Sequence, residues 1–202
     1  MDVFLFDLDD TLIDTKIYAQ LYEPILRLIV EKRELTGKSL DKKAAEFGLT
    51  KNKYGRWDTG DLCRELGLLA EYYEELEKMI EMVPVLRDSV LDVFSKLREK
   101  KKKIGVVSNS MRRTIELYLQ KYNLLPFVDF IFSQNDAGCR KNDPVFWKKL
   151  IQKEKLNPEE SLVVGDDPIE DGEIPRSLGF KTFLIKSSES LRDLQKIITF
   201  EI

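Results

Sequence analysis

Asp7 and Asp9 stand one residue apart in the string Phe6-Asp7-Leu8-Asp9-Asp10-Thr11-Leu12, directly after the apolar run Val3-Phe4-Leu5-Phe6. Alternation along an extended backbone sends the two carboxylates to the same side. There they can share one cation or divide the work of nucleophile and proton carrier. A run too apolar to have a wet face belongs in the middle of a covered parallel sheet, and the carboxyl end of such a strand opens on the crevice where α/β folds place their sites. The chain contains no histidine, so Ser-His triads and every other mechanism with an imidazole base are excluded. Carboxylates must carry the acid and base chemistry.

Three further clusters follow apolar runs in the same way. Ile104-Gly105-Val106-Val107 leads into Ser108-Asn109-Ser110, whose hydroxyl, side-chain amide and backbone N–H groups at a helix start could hold an anion. Taken alone, the same residues would serve as a helix cap. Phe127 to Phe132 is followed by Gly138-Cys139-Arg140-Lys141-Asn142-Asp143-Pro144, a loop with a lysine just ahead of a helix. A lone loop lysine usually meets only water. Leu162-Val163-Val164 runs into Gly165-Asp166-Asp167-Pro168-Ile169-Glu170-Asp171, with three aspartates and a glutamate crowded together. One or two acids would suffice as caps. So many in so short a span repel one another unless a cation joins them, and hard oxygen ligands of this sort suit Mg²⁺. Asp7, Asp9, Ser108, Lys141 and Asp166 lie on separate loops, which a doubly wound topology gathers at one edge of its sheet. One active site accounts for all of them.

The elements that must position these residues alternate. After a strand at 2–6 comes a helix-rich stretch from about Thr15 to Val83. Its first helix carries Ile17, Leu21, Ile25, Leu28, Ile29 and Leu35 with a stop at Thr36-Gly37. Helices are predicted at 39–47, closed by Gly48, at 59–67 and at 70–82, with Leu62, Leu66, Leu69, Tyr73, Leu76 and Ile80 on one face. From Pro84 the pattern becomes helix 87–101, strand 104–107, helix 111–121, strand 127–132, helix 144–154, strand 161–164, helix 171–177, strand 182–185 and helix 188–198. Such alternation predicts an α/β fold, a doubly wound parallel sheet with an inserted small helical bundle.

Composition sets limits. The 202 residues, 43% hydrophobic, suffice for one core domain with an insertion. Lys and Arg total 33 against 36 Asp and Glu, a net charge of −3, which argues against affinity built on neutralising nucleic-acid phosphates. No apolar run approaches the roughly 20 residues that cross a bilayer. Cys63 and Cys139 form no metal-type cluster, and a core strand that begins by residue 3 leaves no room for a signal peptide. A cytoplasmic protein with reduced thiols is expected.

The order Asp7-Leu8-Asp9-Asp10-Thr11-Leu12, Val106-Val107-Ser108-Asn109, Lys141-Asn142-Asp143-Pro144 and Gly165-Asp166-Asp167 through Asp171 resembles the four motifs of the haloacid dehalogenase-like superfamily of hydrolases, across nearly the whole chain. A helical insertion directly after the first motif is similar to the cap of subfamily I members. The resemblance implies a Rossmannoid catalytic core formed by 1–14 and 84–202, with 15–83 as a helical cap domain that acts as a mobile lid. The chain departs from many relatives at Lys141-Asn142, where they carry Lys-Pro.

The same resemblance implies roles. Asp7 would be the nucleophile, becoming a transient aspartyl phosphate, and Asp9 would protonate the leaving oxygen and then deprotonate water. Mg²⁺ would be held by Asp7, the backbone carbonyl of Asp9 and Asp166. Ser108, Asn109 and Lys141 would bind the phosphate. Asp167 and Asp171 would stand behind them, Asp171 being the better placed to orient Lys141 or a metal-bound water. Relatives that are dehalogenases lack the second acid, because halide leaves without a proton, so Asp9 points to phosphoryl transfer. The expected activity is that of a Mg²⁺-dependent phosphatase acting on a small phosphorylated metabolite, without nucleic acid or membrane as partner. A phosphomutase is the nearest alternative, and a receiver-like phospho-accepting module is one of a different class. Receivers are far shorter and carry their acceptor aspartate after a later strand. In the insertion, Tyr54, Arg56 and Trp57 could close over an anionic or sugar-like substrate or simply pack between helices. Tyr18, Tyr22 and Phe47 are expected in the core of the bundle.

Overall fold

Short apolar runs form the strands of a five-stranded sheet in the computed structural model, which describes residues 1–51, 55–186 and 188–201. The strands are β1 (Val3–Phe6), β2 (Lys103–Ser108), β3 (Phe130–Ser133), β4 (Ser161–Gly165) and β5 (Lys181–Leu184), in the order β3-β2-β1-β4-β5. Every pairing is parallel. Phe4, Leu5 and Phe6 are fully buried in the central strand, as its lack of a polar face requires. Phe6 stands in register with Val106 on one side and Val164 on the other. From β1 the chain winds first toward β3 and later toward β5, so the direction reverses at the carboxyl end of β1. Doubly wound sheets open their ligand crevice at such a switch point.

Between β1 and β2 the chain builds a separate compact unit, Lys16–Pro84. Its helices are α1 (Lys16–Arg33), α2 (Gly37–Glu46), α3 (Thr59–Glu65) and α4 (Leu69–Met82). Ile17, Leu21, Ile25 and Ile29 recur every fourth residue on α1 and are fully buried, and α1 packs on α3 and α4. Two expectations shift here. First, α1 ends at Arg33, ahead of Glu34 in the left-handed region (φ 56°), and Thr36 opens the next helix instead of closing this one. Second, the apolar face does not run on from Leu66 and Leu69 to Tyr73: Leu68 and Tyr72 are buried in their place. The cause is the turn at Gly67 (φ 67°), which breaks the helical period between α3 and α4 so that the count restarts. Tyr18, Tyr22 and Phe47 are half-buried, at the margin of the bundle.

The second unit, Met1–Thr15 with Val85–Ile202, holds the sheet with α5 (Val90–Glu99), α6 (Arg112–Lys121), α7 (Gln134–Ala137), α8 (Pro144–Glu154), α9 (Ile174–Ser177) and α10 (Ser188–Glu201). One cluster gathers Leu5, Val107, Phe132, Phe146, Trp147 and Phe180. Phe6 instead meets Phe94 of α5, ring centroids 5.0 Å apart. Each fully buried side chain of this size contributes about 1.5–3 kcal/mol. Gly105 is required in β2, because a Cβ there would stand 2.4 Å from the Phe130 ring. The strand expected at 127–132 begins later, since Pro126 sets a single 3₁₀ turn at Leu125–Phe127. The helix expected at 171–177 is a π-helical turn, Pro168–Glu173, running into α9, and the short α7 was not expected at all.

The chain leaving β1 and the chain returning after Pro84 are laced together. Asp14 N–H donates to Val85 O at 2.8 Å and Arg87 N–H to Leu12 O at 2.9 Å, with Ile13 and Leu86 paired antiparallel between them. Asp10, itself at φ 53°, bonds Thr15 Oγ1 at 2.9 Å and Arg87 Nη2 at 3.2 Å, tying both crossings to the end of β1.

Candidate active site

Asp7 is the first residue past β1, and its N–H still bonds Val164 O at 2.8 Å, which continues the ladder and fixes its backbone. Ser108 ends β2 and is 1% exposed. Its Oγ accepts from Ser110 N–H at 3.0 Å, so the hydroxyl proton is directed elsewhere. Asp166 follows β4, and Lys141 lies in the loop between α7 and α8. Lys141 is 2% exposed, unusual for a lysine, and its backbone is held at both ends. Its N–H donates to Asn109 Oδ1 at 2.7 Å, and its carbonyl accepts from Trp147 Nε1 at 3.1 Å.

The Lys141 ammonium bonds Asp7 Oδ1 at 2.5 Å and Asp171 Oδ1 at 2.7 Å. All three groups are buried, a cost that only mutual pairing offsets. Burial alone would lower the lysine's hold on its proton, but Asp7 and Asp171 outweigh it and raise the ammonium above its ordinary range. Burial also pushes the Asp7 carboxyl upward, Lys141 opposes this, and Asp171 and Asp9 add to the rise. Two carboxylates against one ammonium leave net negative charge in a dry place.

Asp166 adds to that charge. One carboxylate oxygen from each of Asp7, Asp166 and Asp171 lies within 4.8 Å of the others, the group among the described residues that could hold a metal ion. Partial burial of the Asp166 carboxyl, with Asp171 and Asp10 nearby, raises it to about 6. A hard divalent cation fits this donor set, because it would offset the carboxylate crowding that adds to the effect of burial on Asp7 and Asp166. Asp171 reaches the cluster because Gly165 has no side chain: a Cβ there would stand 2.2 Å from Asp171 Cγ. A glycine closing a wholly buried strand is the sequence signal of such a close approach.

Other candidates fall elsewhere. The Asp9 carboxylate lies outside that group and accepts from Ser110 Oγ at 2.7 Å. The Asp167 carboxylate caps the turn after it, accepting from Ile169 and Glu170 N–H at 2.8 Å each, and Asp167 meets Asp171 through its backbone, its N–H 3.2 Å from Oδ2 and its carbonyl accepting from Asp171 N–H at 2.9 Å. The Asn109 side chain is committed on both sides, since Nδ2 donates to Glu170 Oε2 at 2.5 Å while Oδ1 holds Lys141. Asn109 therefore braces the lysine loop, and Glu170 braces Asn109. Burial pushes the Glu170 carboxyl above its usual value, while Lys141 and Asn109 pull it back. In the helical unit, Trp57 is 9% exposed, bonds Asp41 Oδ1 through Nε1 at 3.2 Å, and is covered by Lys51 at 4.9 Å from its ring. That is packing. Arg56 is exposed and lies over the Tyr22 ring at 5.3 Å. Tyr54 lies outside the described residues.

Comparison with known proteins bears on family and fold. A family model described as haloacid dehalogenase-like hydrolase matches residues 1–179. Pyrophosphatase PpaX of Bacillus thuringiensis is 27% identical over 182 residues, covering 83% of this chain and 75% of that protein. Among solved structures, YfnB of Bacillus subtilis, determined bound to magnesium, superposes with a TM-score of 0.62 at 20% identity over 98% of each chain. A HAD-superfamily hydrolase, subfamily IA, from Geobacter sulfurreducens gives 0.66 at 13% identity, covering 96% of this chain and 99% of its own. At these identities the two structures are alike in fold.

Proposed function

The chain belongs to the haloacid dehalogenase-like hydrolases, and on that premise we propose that it is a Mg²⁺-dependent phosphatase hydrolysing a small phosphomonoester through a phosphoaspartate on Asp7. The observation that carries this is the buried Lys141 ammonium clasped between Asp7 and Asp171, with the Asp166 carboxylate beside them. Lys141 engages Oδ1 of Asp7, leaving Oδ2 to attack phosphorus. Asp7, Asp166 and the Asp9 carbonyl would hold the cation, which when bound neutralises charge between the nucleophile and an anionic substrate. Ser108 Oγ–H and the Lys141 ammonium bind phosphoryl oxygens, and Asp9 gives its proton to the leaving oxygen. Water then attacks the phosphoaspartate, and Asp9 takes the proton back. Asp171 keeps Lys141 charged and pointed at Asp7. The unit Lys16–Pro84 is the helical cap, a lid that selects the substrate.

The test is release of inorganic phosphate from a panel of phosphorylated metabolites and pyrophosphate, the latter included because of the PpaX relative. Free phosphate equal to the ester consumed, or twice the pyrophosphate consumed, abolished by EDTA and by Asp7→Asn with the circular dichroism spectrum unchanged, is the expected result. Isomerised phosphoester without free phosphate would identify a mutase. No Mg²⁺-dependent turnover of any compound would overturn the assignment.

A further inference from the structure

Ser110 has no role in the scheme above, yet its side chain meets Asp9 across 101 residues of sequence, Oγ donating to Oδ2 at 2.7 Å. Its own N–H donates to Ser108 Oγ at 3.0 Å, so the hydroxyl is presented from the fixed end of β2. Asp9, by contrast, sits on the irregular chain past β1, beside Asp10 at φ 53°. A carboxyl group there has several rotamers, and proton transfer tolerates few of them: donor and acceptor must come within about 2.6–3.2 Å.

We propose that Ser110 is a positioning residue that holds the Asp9 carboxyl in the rotamer from which it transfers its proton, a role that rests on the reading of Asp9 as acid and base. In the first step an Asp7 oxygen bonds to phosphorus, the bond from phosphorus to the leaving oxygen breaks, and the Asp9 proton passes to that oxygen. In the second a water oxygen bonds to phosphorus, the bond to Asp7 breaks, and the water proton goes to Asp9. Ser110 exchanges no proton in either step. Because Oδ2 accepts from Ser110, the transferable proton belongs on Oδ1. The hydroxyl thus selects the working oxygen as well as the rotamer.

Aryl phosphates separate this role from a structural one. A p-nitrophenolate leaves without a proton, whereas phenolate gains from one, and kcat/KM reports the step in which it departs. Ser110→Ala is expected to lower kcat/KM for phenyl phosphate about tenfold, the size of one lost hydrogen bond, and for p-nitrophenyl phosphate less than about twofold. Ser110→Thr, which keeps the hydroxyl, should restore the phenyl ester. Equal losses on both esters, or no loss on phenyl phosphate, would overturn the proposal. Asp9→Asn measured in parallel keeps the premises apart. A selective loss on phenyl phosphate in Asp9→Asn but not in Ser110→Ala removes only the proposal, whereas no selective loss in Asp9→Asn removes the reading of Asp9 and the proposal with it.

Discussion

Lys141 binds two acids that would otherwise repel one another in a dry site, so its charge stabilises the fold as well as serving the chemistry. Lys141→Ala is expected to cost about 3–5 kcal/mol in urea unfolding and to abolish turnover, because it leaves buried carboxylates without a partner. Lys141→Arg would keep the charge but not the compact head, and activity should stay lost. Asp136 is a second charged residue with measurable consequences. Burial acts against its charge, but hydrogen bonds from Lys153, Ser133 and Arg112 outweigh it and hold the carboxyl well below its ordinary value. A depressed folded value means that this stabilisation is complete above the unfolded value of about 4 and is lost as pH falls through the folded one. Asp136→Asn should therefore destabilise the protein at pH 7, and the gap to wild type should narrow as urea melts are taken below about pH 4. At this scale the sequence was informative about residue types, and the family resemblance already set Asp171 toward Lys141, where the structure has it. The spacing of Asp166, Asp167 and Asp171 did not say that the turn would use the Asp167 carboxylate on N–H groups.

Elements were most legible where burial leaves no choice. Val3–Phe6 and Ser161–Gly165 have few polar residues to offer water, and a covered parallel strand is the structure that accepts them. Where two helices meet, periodicity misled: Leu66, Leu69 and Tyr73 fit one helical repeat, but the left-handed Gly67 resets the phase and Leu68 and Tyr72 go inside. Gly165 belongs to this scale too, being the strand residue whose missing side chain lets Asp171 approach. Gly165→Ala is expected to displace Asp171 from Lys141, costing about 1–3 kcal/mol by overpacking and most of the turnover. Differential scanning calorimetry and a phosphate-release assay check both. Unchanged activity would mean that the Asp171 contact does not matter to catalysis. The bracing of Lys141 by Asn109 and Glu170 was not legible, because those residues meet only once β2 and β4 flank β1.

For the whole molecule, the acid cluster predicts that a divalent cation is a folding ligand as well as a cofactor. Mg²⁺ at ten times its dissociation constant should stabilise the native state by about 1.4 kcal/mol and raise Tm by about 3–5 °C. Asp166→Asn should reduce the shift, and EDTA should reverse it. The parallel sheet was readable from alternation alone. Its strand order was not, because alternation gives the succession of strands and not the side of β1 on which each one lands.

The lacing of Leu12–Asp14 with Val85–Arg87 gives the molecule a natural grafting point. Residues that face each other in an antiparallel pair stand roughly 5 Å apart, a gap that an Asn-Gly hairpin turn can span. The compact unit from Lys16 to Pro84 thus enters where the scaffold already holds its own two ends together, which would let it be exchanged as a cassette. A lineage could trade one such cassette for another, or discard it, without rethreading the strands that present the aspartates.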